Sequence, residues 1–168
     1  MWPAIAILAF VTFQRLAELA LAKRNTARLL AAGAREYSPG HYPLMVAFHA
    51  AWLIGLWLLA PSRPVHLAFL GLFLLLQVGR VWVIRTLGPR WTTRIIILPE
   101  AALVTGGPYR FVNHPNYMVV VGEVAVLPLV FGLWTYAILF SLAHAAVLAV
   151  RIRAENRALA QERVSRTA

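Results

Sequence analysis

The sequence predicts an all-α integral membrane protein, one domain of five transmembrane helices, and three observations carry that prediction. The 168 residues are 61% hydrophobic, with a mean hydropathy of +0.70, where soluble domains are roughly half apolar. The apolar residues gather into five runs close to the roughly 20 residues that a bilayer requires. The formal charge of +10, reached with no aspartate, is concentrated in the short segments between those runs, which is a topology signal and not a groove for phosphates. No nucleic-acid partner is expected. Cysteine is absent, which excludes disulfides, thiolate nucleophiles and zinc–thiolate sites. The five histidines, His41, His49, His66, His114 and His144, are scattered over different segments, so no metal site is expected either.

Taken in order, the first span covers 2–21. Gln14, Arg15 and Glu18 interrupt its apolar run and no cationic segment precedes it, so it is expected as a retained helix and not a signal peptide. Spans two and three cover 43–60 and 65–84, the latter with Gln77 and Arg80 three residues apart. Residues 85–114 form the longest loop. In it "TTRIII" and "AALVTGG" flank "LPEA", a pattern suited to a small hairpin before the fourth helix. Gly106-Gly107-Pro108 ends that extended stretch, because proline disfavours helical conformation in the residue before it. His114-Pro115 then opens the fourth span, 115–131, since proline is tolerated in a first helical turn. Glu123 lies inside this span. The span is joined to the fifth, 134–151, only by Gly132-Leu133-Trp134, so the two should form a tight helical hairpin. Beyond the fifth span Arg151 and Glu155, four apart, share a helical face that Leu148 and His144 continue into the bilayer.

Lysine and arginine set the orientation. Lys23, Arg24, Arg28 and Arg35, then Arg85, Arg90, Arg94 and Arg110, then Arg151, Arg153, Arg157, Arg163 and Arg166 fall on one side, and Arg63 alone on the other. The positive-inside rule places the amino terminus outside and the carboxyl terminus in the cytosol. The 85–114 loop and the polar tail thus meet at one membrane face.

The stretch "LVTGGPYRFVNHPNY", residues 103–117, resembles the signature L-V-T-x-G-P-Y-x-x-x-R-H-P-x-Y of the isoprenylcysteine carboxyl methyltransferase family, relatives of the phospholipid methyltransferases. "RIRAENRAL", residues 151–159, resembles the family's second motif, a basic residue followed by paired glutamates and an apolar residue. The likeness covers roughly residues 75–160. Asn113 stands where the family has arginine and Asn156 where it has the second glutamate; each removes a charge while keeping hydrogen-bonding capacity.

What the resemblance implies is an S-adenosylmethionine site on the cytosolic side, roofed by the 85–114 loop and closed by the last helix. Residues 85–163 would form the cofactor half and residues 1–84 the acceptor half. A sulfonium cofactor calls for aromatic faces, here Trp91, Tyr109 and Tyr117, and for a carboxylate, here Glu155. Leu103 and Val104 would wall the adenine, with His114, Asn116, Tyr117 and Asn156 at the polar parts. Arg151 and Glu155 are the expected catalytic pair, Arg151 orienting an anionic oxygen. On the acceptor side Arg15, Glu18, Gln77, Arg80 and Glu123 are candidates. A central arginine costs about 2.5–3.5 kcal/mol on insertion scales, so these residues either line a functional cavity or pair with one another inside the bundle. The turn-rich loop "GAREYSPGHYP", residues 33–43, either gates the acceptor or anchors the interface through Tyr37, His41 and Tyr42.

The expected function is therefore that of a membrane-embedded O-methyltransferase in a bacterial inner membrane, its site facing the cytosol. Its partners would be membrane lipids and a lipophilic acceptor: a prenylcysteine-type carboxylate, or an alkylated phenol or enol such as a polyketide pyrone. Two other readings stand beside it: a nicotinamide-dependent membrane reductase of the sterol-reductase type, and an inactive lipid-binding membrane protein.

Overall fold

The structure, a computed structural model, describes residues 1–37, 40, 42–99 and 101–167, with side chains apart from those of 159 and 161–167. His41 and Glu100, which the sequence placed in a gating loop and a hairpin turn, lie outside the described residues. Five helices account for most of the chain: α1 Trp2–Ala31, α2 Tyr42–Leu59, α3 Leu67–Leu87, α4 Pro115–Val130 and α5 Trp134–Thr167. Four of them, α1, α2, α3 and α5, are long and apolar enough to cross a bilayer, which makes the chain an integral membrane protein. The fourth helix has 16 residues and rises about 24 Å, short of the roughly 30 Å hydrocarbon core.

Helix α1 runs ten residues beyond the span read from hydropathy. Its continuation "AKRNTARLLA" is rich in alanine, leucine, lysine and arginine, which favour helix whether or not they favour lipid. At the other hairpin α4 and α5 are joined across three residues, where Gly132 takes φ 68°, a left-handed conformation that glycine adopts without a Cβ penalty.

The expected hairpin within residues 92–107 is corrected by the structure. Ile96–Ile97 (β2) pairs antiparallel with Arg35–Glu36 (β1) from the α1–α2 loop, and residues 101–105 form no strand. Tyr37 N–H donates to the Ile95 carbonyl at 2.9 Å, and Arg94 Nη1 donates to both oxygens of Glu36 at 2.9 and 3.1 Å. The charged pair lends the first loop an advantage that the apolar arm 101–104 does not offer. The α1–α2 and α3–α4 loops are thereby tied together.

Packing differs along the bundle. One end is dry: Leu8 and Val11 of α1, Trp52 and Leu56 of α2, Phe73 of α3, and Leu127 and Val130 of α4 form the main core. Toward the other end, Ala22, Val83 and Trp91 form a second cluster with Leu21, Ile84, Leu87 and Tyr109 around it. Between and beside these clusters the bundle is hollow, and the hollows hold the candidate site.

Candidate functional site

His114 and Pro115 set the first turn of α4 and present Tyr117 one turn in; the His114 and Tyr117 rings stack with centroids 5.1 Å apart. From α5, Arg151 Nε donates to the Tyr117 hydroxyl oxygen at 2.9 Å and Nη1 donates to the Thr93 carbonyl at 2.8 Å. The Tyr117 hydroxyl in turn donates to a Glu155 oxygen. Arg151 and Glu155 are thus not paired with each other; a phenol bridges them. With Nε and Nη1 engaged, Nη2 of Arg151 is left without a partner among the described residues.

Two cavities flank this bridge. The larger, about 580 Å³, lies under the 85–114 loop and is lined by Trp91, Leu103, Val104, Tyr109, His114, Asn116, Tyr117, Arg151, Glu155 and Asn156, together with Asn113. Every residue expected at a cofactor site therefore faces one space. The smaller, about 300 Å³, lies among the helices; Arg15, Glu18, Arg80, His49, His144 and Leu148 are among its lining. Trp91, Thr92, Asn116, Tyr117 and Arg151 line both cavities and form their common wall. Two buried polar atoms of that wall, Trp91 Nε1 and Asn116 Oδ1, have no hydrogen-bond partner. Such groups are costly to leave unpaired and are commonly met by a ligand or water. Burial and the nearby Glu155 carboxylate push the Tyr109 hydroxyl up to about 12, so it stays neutral.

Residues of no evident promise in the sequence hold this wall in place. Asn25, buried on α1, donates through Nδ2 to the carbonyls of Gly88 at 3.1 Å and Trp91 at 2.9 Å, which fixes the turn carrying the Trp91 ring. The signal available was its type: asparagine is a poor residue for a helix interior. Thr93 clamps Arg151 through its carbonyl, which no side-chain pattern reveals. Gly107, at φ 55°, passes so close to the Thr86 side chain that a Cβ would collide with it. Asn25→Ala should unpin the turn, lowering thermal stability by roughly 1–3 kcal/mol and opening the 85–114 loop to limited proteolysis. Wild-type melting and cleavage in that variant would show the turn to be held by other means.

The intramembrane charges resolve into one network. Arg80 meets Glu18 with Nε and Nη2 at 2.5 and 2.6 Å and Glu123 with Nη1 at 2.8 Å; Arg15 reaches Glu18 at 3.0 Å and Glu123 at 2.7 Å. Gln77 donates to Glu123 at 2.9 Å and accepts from Gln14 at 2.6 Å. Arg15, Glu18 and Arg80 reach the smaller cavity, whereas Gln77 and Glu123 line neither cavity. Glu123 is fully buried, accepts from Arg15, Arg80 and Gln77 and borders neither cavity, so its part is to hold the two arginines.

Comparison with known proteins points in one direction. The sequence model described as the Isoprenylcysteine carboxyl methyltransferase (ICMT) family matches residues 69–161. The chain is 37% identical to the uncharacterized protein YpbQ of Bacillus subtilis, over 94% of this chain and 95% of that one. It is 30% identical to an uncharacterized protein of Haemophilus influenzae, over 86% of this chain and 88% of that one. No solved structure matches it.

Proposed function

The chain belongs to the isoprenylcysteine carboxyl methyltransferase family, whose members use S-adenosylmethionine, and from that premise we propose that it is a membrane-embedded O-methyltransferase with a lipophilic acceptor. The acceptor is a prenylcysteine-type carboxylate or an alkylated phenol or enol such as a polyketide pyrone. The observation that carries the reading is the common wall: two cavities of unlike chemistry touch only along a few residues, among them Arg151 and Tyr117.

The residues of the larger cavity fit the cofactor. Its volume of about 580 Å³ lies within the roughly 300–1,000 Å³ of small-molecule sites. Trp91, Tyr109 and Tyr117 offer aromatic faces to a cation, and Glu155 offers a carboxylate. Leu103 and Val104 offer an apolar strip with backbone polar groups. The unpartnered Asn116 oxygen matches an amine or hydroxyl donor. Asn113 and Asn156, the departures from the family pattern, line the same space and retain hydrogen-bonding capacity. When bound, S-adenosylmethionine supplies an electrophilic methyl group carried on a sulfonium.

The chain's own contribution is alignment and exclusion of water. Arg151, anchored at two nitrogens, turns its remaining Nη2 to an acceptor oxygen, and an aligned, dry pocket supplies most of the catalysis that methyl transfer requires. Arg15, Glu18 and Arg80 shape the acceptor cavity as one rigid network. In this reading helix α4 completes a set of five spans, and the arginine-rich segments around the site support a position on the cytosolic face of a bacterial inner membrane.

Calorimetric titration of the detergent-solubilised protein tests the reading: S-adenosylmethionine should bind and NADPH should not. Glu155→Gln should weaken S-adenosylmethionine binding by about tenfold, since it removes the counter-charge while keeping shape, and should weaken S-adenosylhomocysteine binding less. Equal losses would assign Glu155 to the portion the two ligands share; binding of NADPH alone would sink the methyltransferase reading.

A further inference from the structure

His49, on α2, lines the smaller cavity and has no part in the site described so far. Its Nδ1 lies 2.8 Å from the Met45 carbonyl one turn back. A carbonyl only accepts, so the neutral ring carries its proton on Nδ1 and keeps a lone pair on Nε2. Nε2 has no hydrogen-bond partner among the described residues, nor is it among the buried polar atoms that lack one; it is open to the cavity.

Other acceptors along the cavity are engaged or weak. The Glu18 carboxylate takes four hydrogen bonds, from Gln14, Arg15 and two nitrogens of Arg80. The Thr12 hydroxyl donates to the Leu8 carbonyl and accepts from Trp57. The Tyr117 hydroxyl donates to Glu155 and accepts from Arg151. His144 has no hydrogen bond at either ring nitrogen among the described residues, so nothing fixes which of them carries its lone pair; its Nε2 is buried, and its ring stands edge-on to His49 with centroids 5.6 Å apart. His49 Nε2 is thus the basic lone pair of the cavity whose position a hydrogen bond fixes. The cavity's margin includes the exposed apolar residues Leu16, Leu19 and Val46. A lipophile reaching it through hydrocarbon arrives neutral, because an isolated ion is costly there. A phenol, with an ordinary pKa of about 10, then needs a base inside the protein, whereas a carboxyl group, with an ordinary pKa of about 4, gives up its proton to water at neutral pH and needs no dedicated base.

We propose that His49 is the general base of this chain and that the acceptor is an un-ionised, weakly acidic hydroxyl, a phenol or enol, and not a carboxylate. The proposal rests on the methyltransferase reading and narrows its acceptor. The acceptor O–H bond breaks and its proton forms an N–H bond on Nε2. The oxygen, held by Arg151, bonds to the sulfonium donor's methyl carbon as the C–S bond breaks, leaving a neutral thioether. The imidazolium returns its proton to water when the methyl ether leaves. The charged and titratable groups around His49 are Arg15 and Glu18 of α1, Tyr42 of α2, Arg80 of α3, Tyr117 of α4, and His144 and Arg151 of α5.

The test pairs two probes on the full chain in detergent with S-adenosylmethionine: a long-chain 4-alkylphenol, and its 2,6-dinitro derivative, which is already ionised at neutral pH. His49→Gln and His49→Asn, neither of them a base, should lower turnover of the alkylphenol by about 10²–10⁴-fold and leave that of the dinitro compound within about threefold. In the wild type, turnover of the alkylphenol should rise with pH through one ionisation that the dinitro compound lacks, a measurement independent of whether the variants fold. Equal losses on both probes, no loss on either, or pH profiles of the same shape would overturn the base assignment. A wild type that binds S-adenosylmethionine yet methylates neither phenol would overturn the hydroxyl acceptor. A wild type that does not bind it would bring down the underlying reading instead.

Discussion

Arg151→Lys is expected to lower turnover by about 10²–10³-fold while S-adenosylmethionine affinity stays within about threefold of wild type, the size of effect that follows loss of one donor to a developing or bound oxyanion. The expectation comes from counting nitrogens. Arg151 spends Nε on Tyr117 and Nη1 on the Thr93 carbonyl, and only then has Nη2 for an acceptor. A lysine keeps the charge but offers one nitrogen at one point, so it cannot hold the wall and the substrate together. Steady-state rates beside calorimetric affinities would check this. Parallel loss of both would make Arg151 a cofactor ligand, and wild-type turnover would remove it from the mechanism.

Glu123→Gln should cost the fold roughly 3–5 kcal/mol, because it leaves two guanidinium groups, that of Arg80 buried, sharing one carboxylate. Glu123 is fully buried and accepts from Arg15, Arg80 and Gln77. Restoring balance with Arg15→Gln in the same chain should recover part of the loss. Thermal unfolding in detergent gives the comparison, and a single variant as stable as wild type would show that the network is not a structural element.

Helix positions were legible where hydropathy and helix propensity agreed. They parted company at the end of α1, where polar residues that lipid disfavours still favour helix, and so the helix outran its apolar run. The two-residue sheet was not legible, because Ile96–Ile97 offers the same alternation to any partner and the choice fell to a glutamate, Glu36, some sixty positions away. Of the larger cavity the part lined by residues 103–117 and 151–156 was readable, since it comes from two contiguous motifs; Leu29, Leu87 and the apolar stretch 95–98 line it from outside them and carry no such pattern. In the charge network the sequence reading allowed Arg15 to pair with Glu18 and Arg80 with Glu123, as they do, but did not show that Arg15 also meets Glu123 and Arg80 also meets Glu18. His49 had no patterned neighbour and only its hydrogen bond to Met45 distinguishes it. Asn25 and Thr93 act through and upon backbone carbonyls, which a sequence does not display.

The charge network also bears on the order in which the protein is made. Ribosomes deliver α1 first, and its Arg15 and Glu18 cancel. When α3 emerges, Arg80 leaves the growing bundle with one uncompensated positive charge, and an arginine at the centre of a membrane helix costs about 2.5–3.5 kcal/mol to insert. The compensating carboxylate, Glu123, comes 43 positions later, on α4, the helix least able to hold itself in lipid by length alone. Each of these two segments thus lacks what the other carries. The third and fourth helices are accordingly best understood as a single unit of insertion, delivered to the membrane together, and the loop that will cover the larger cavity is the stretch of chain that waits between them.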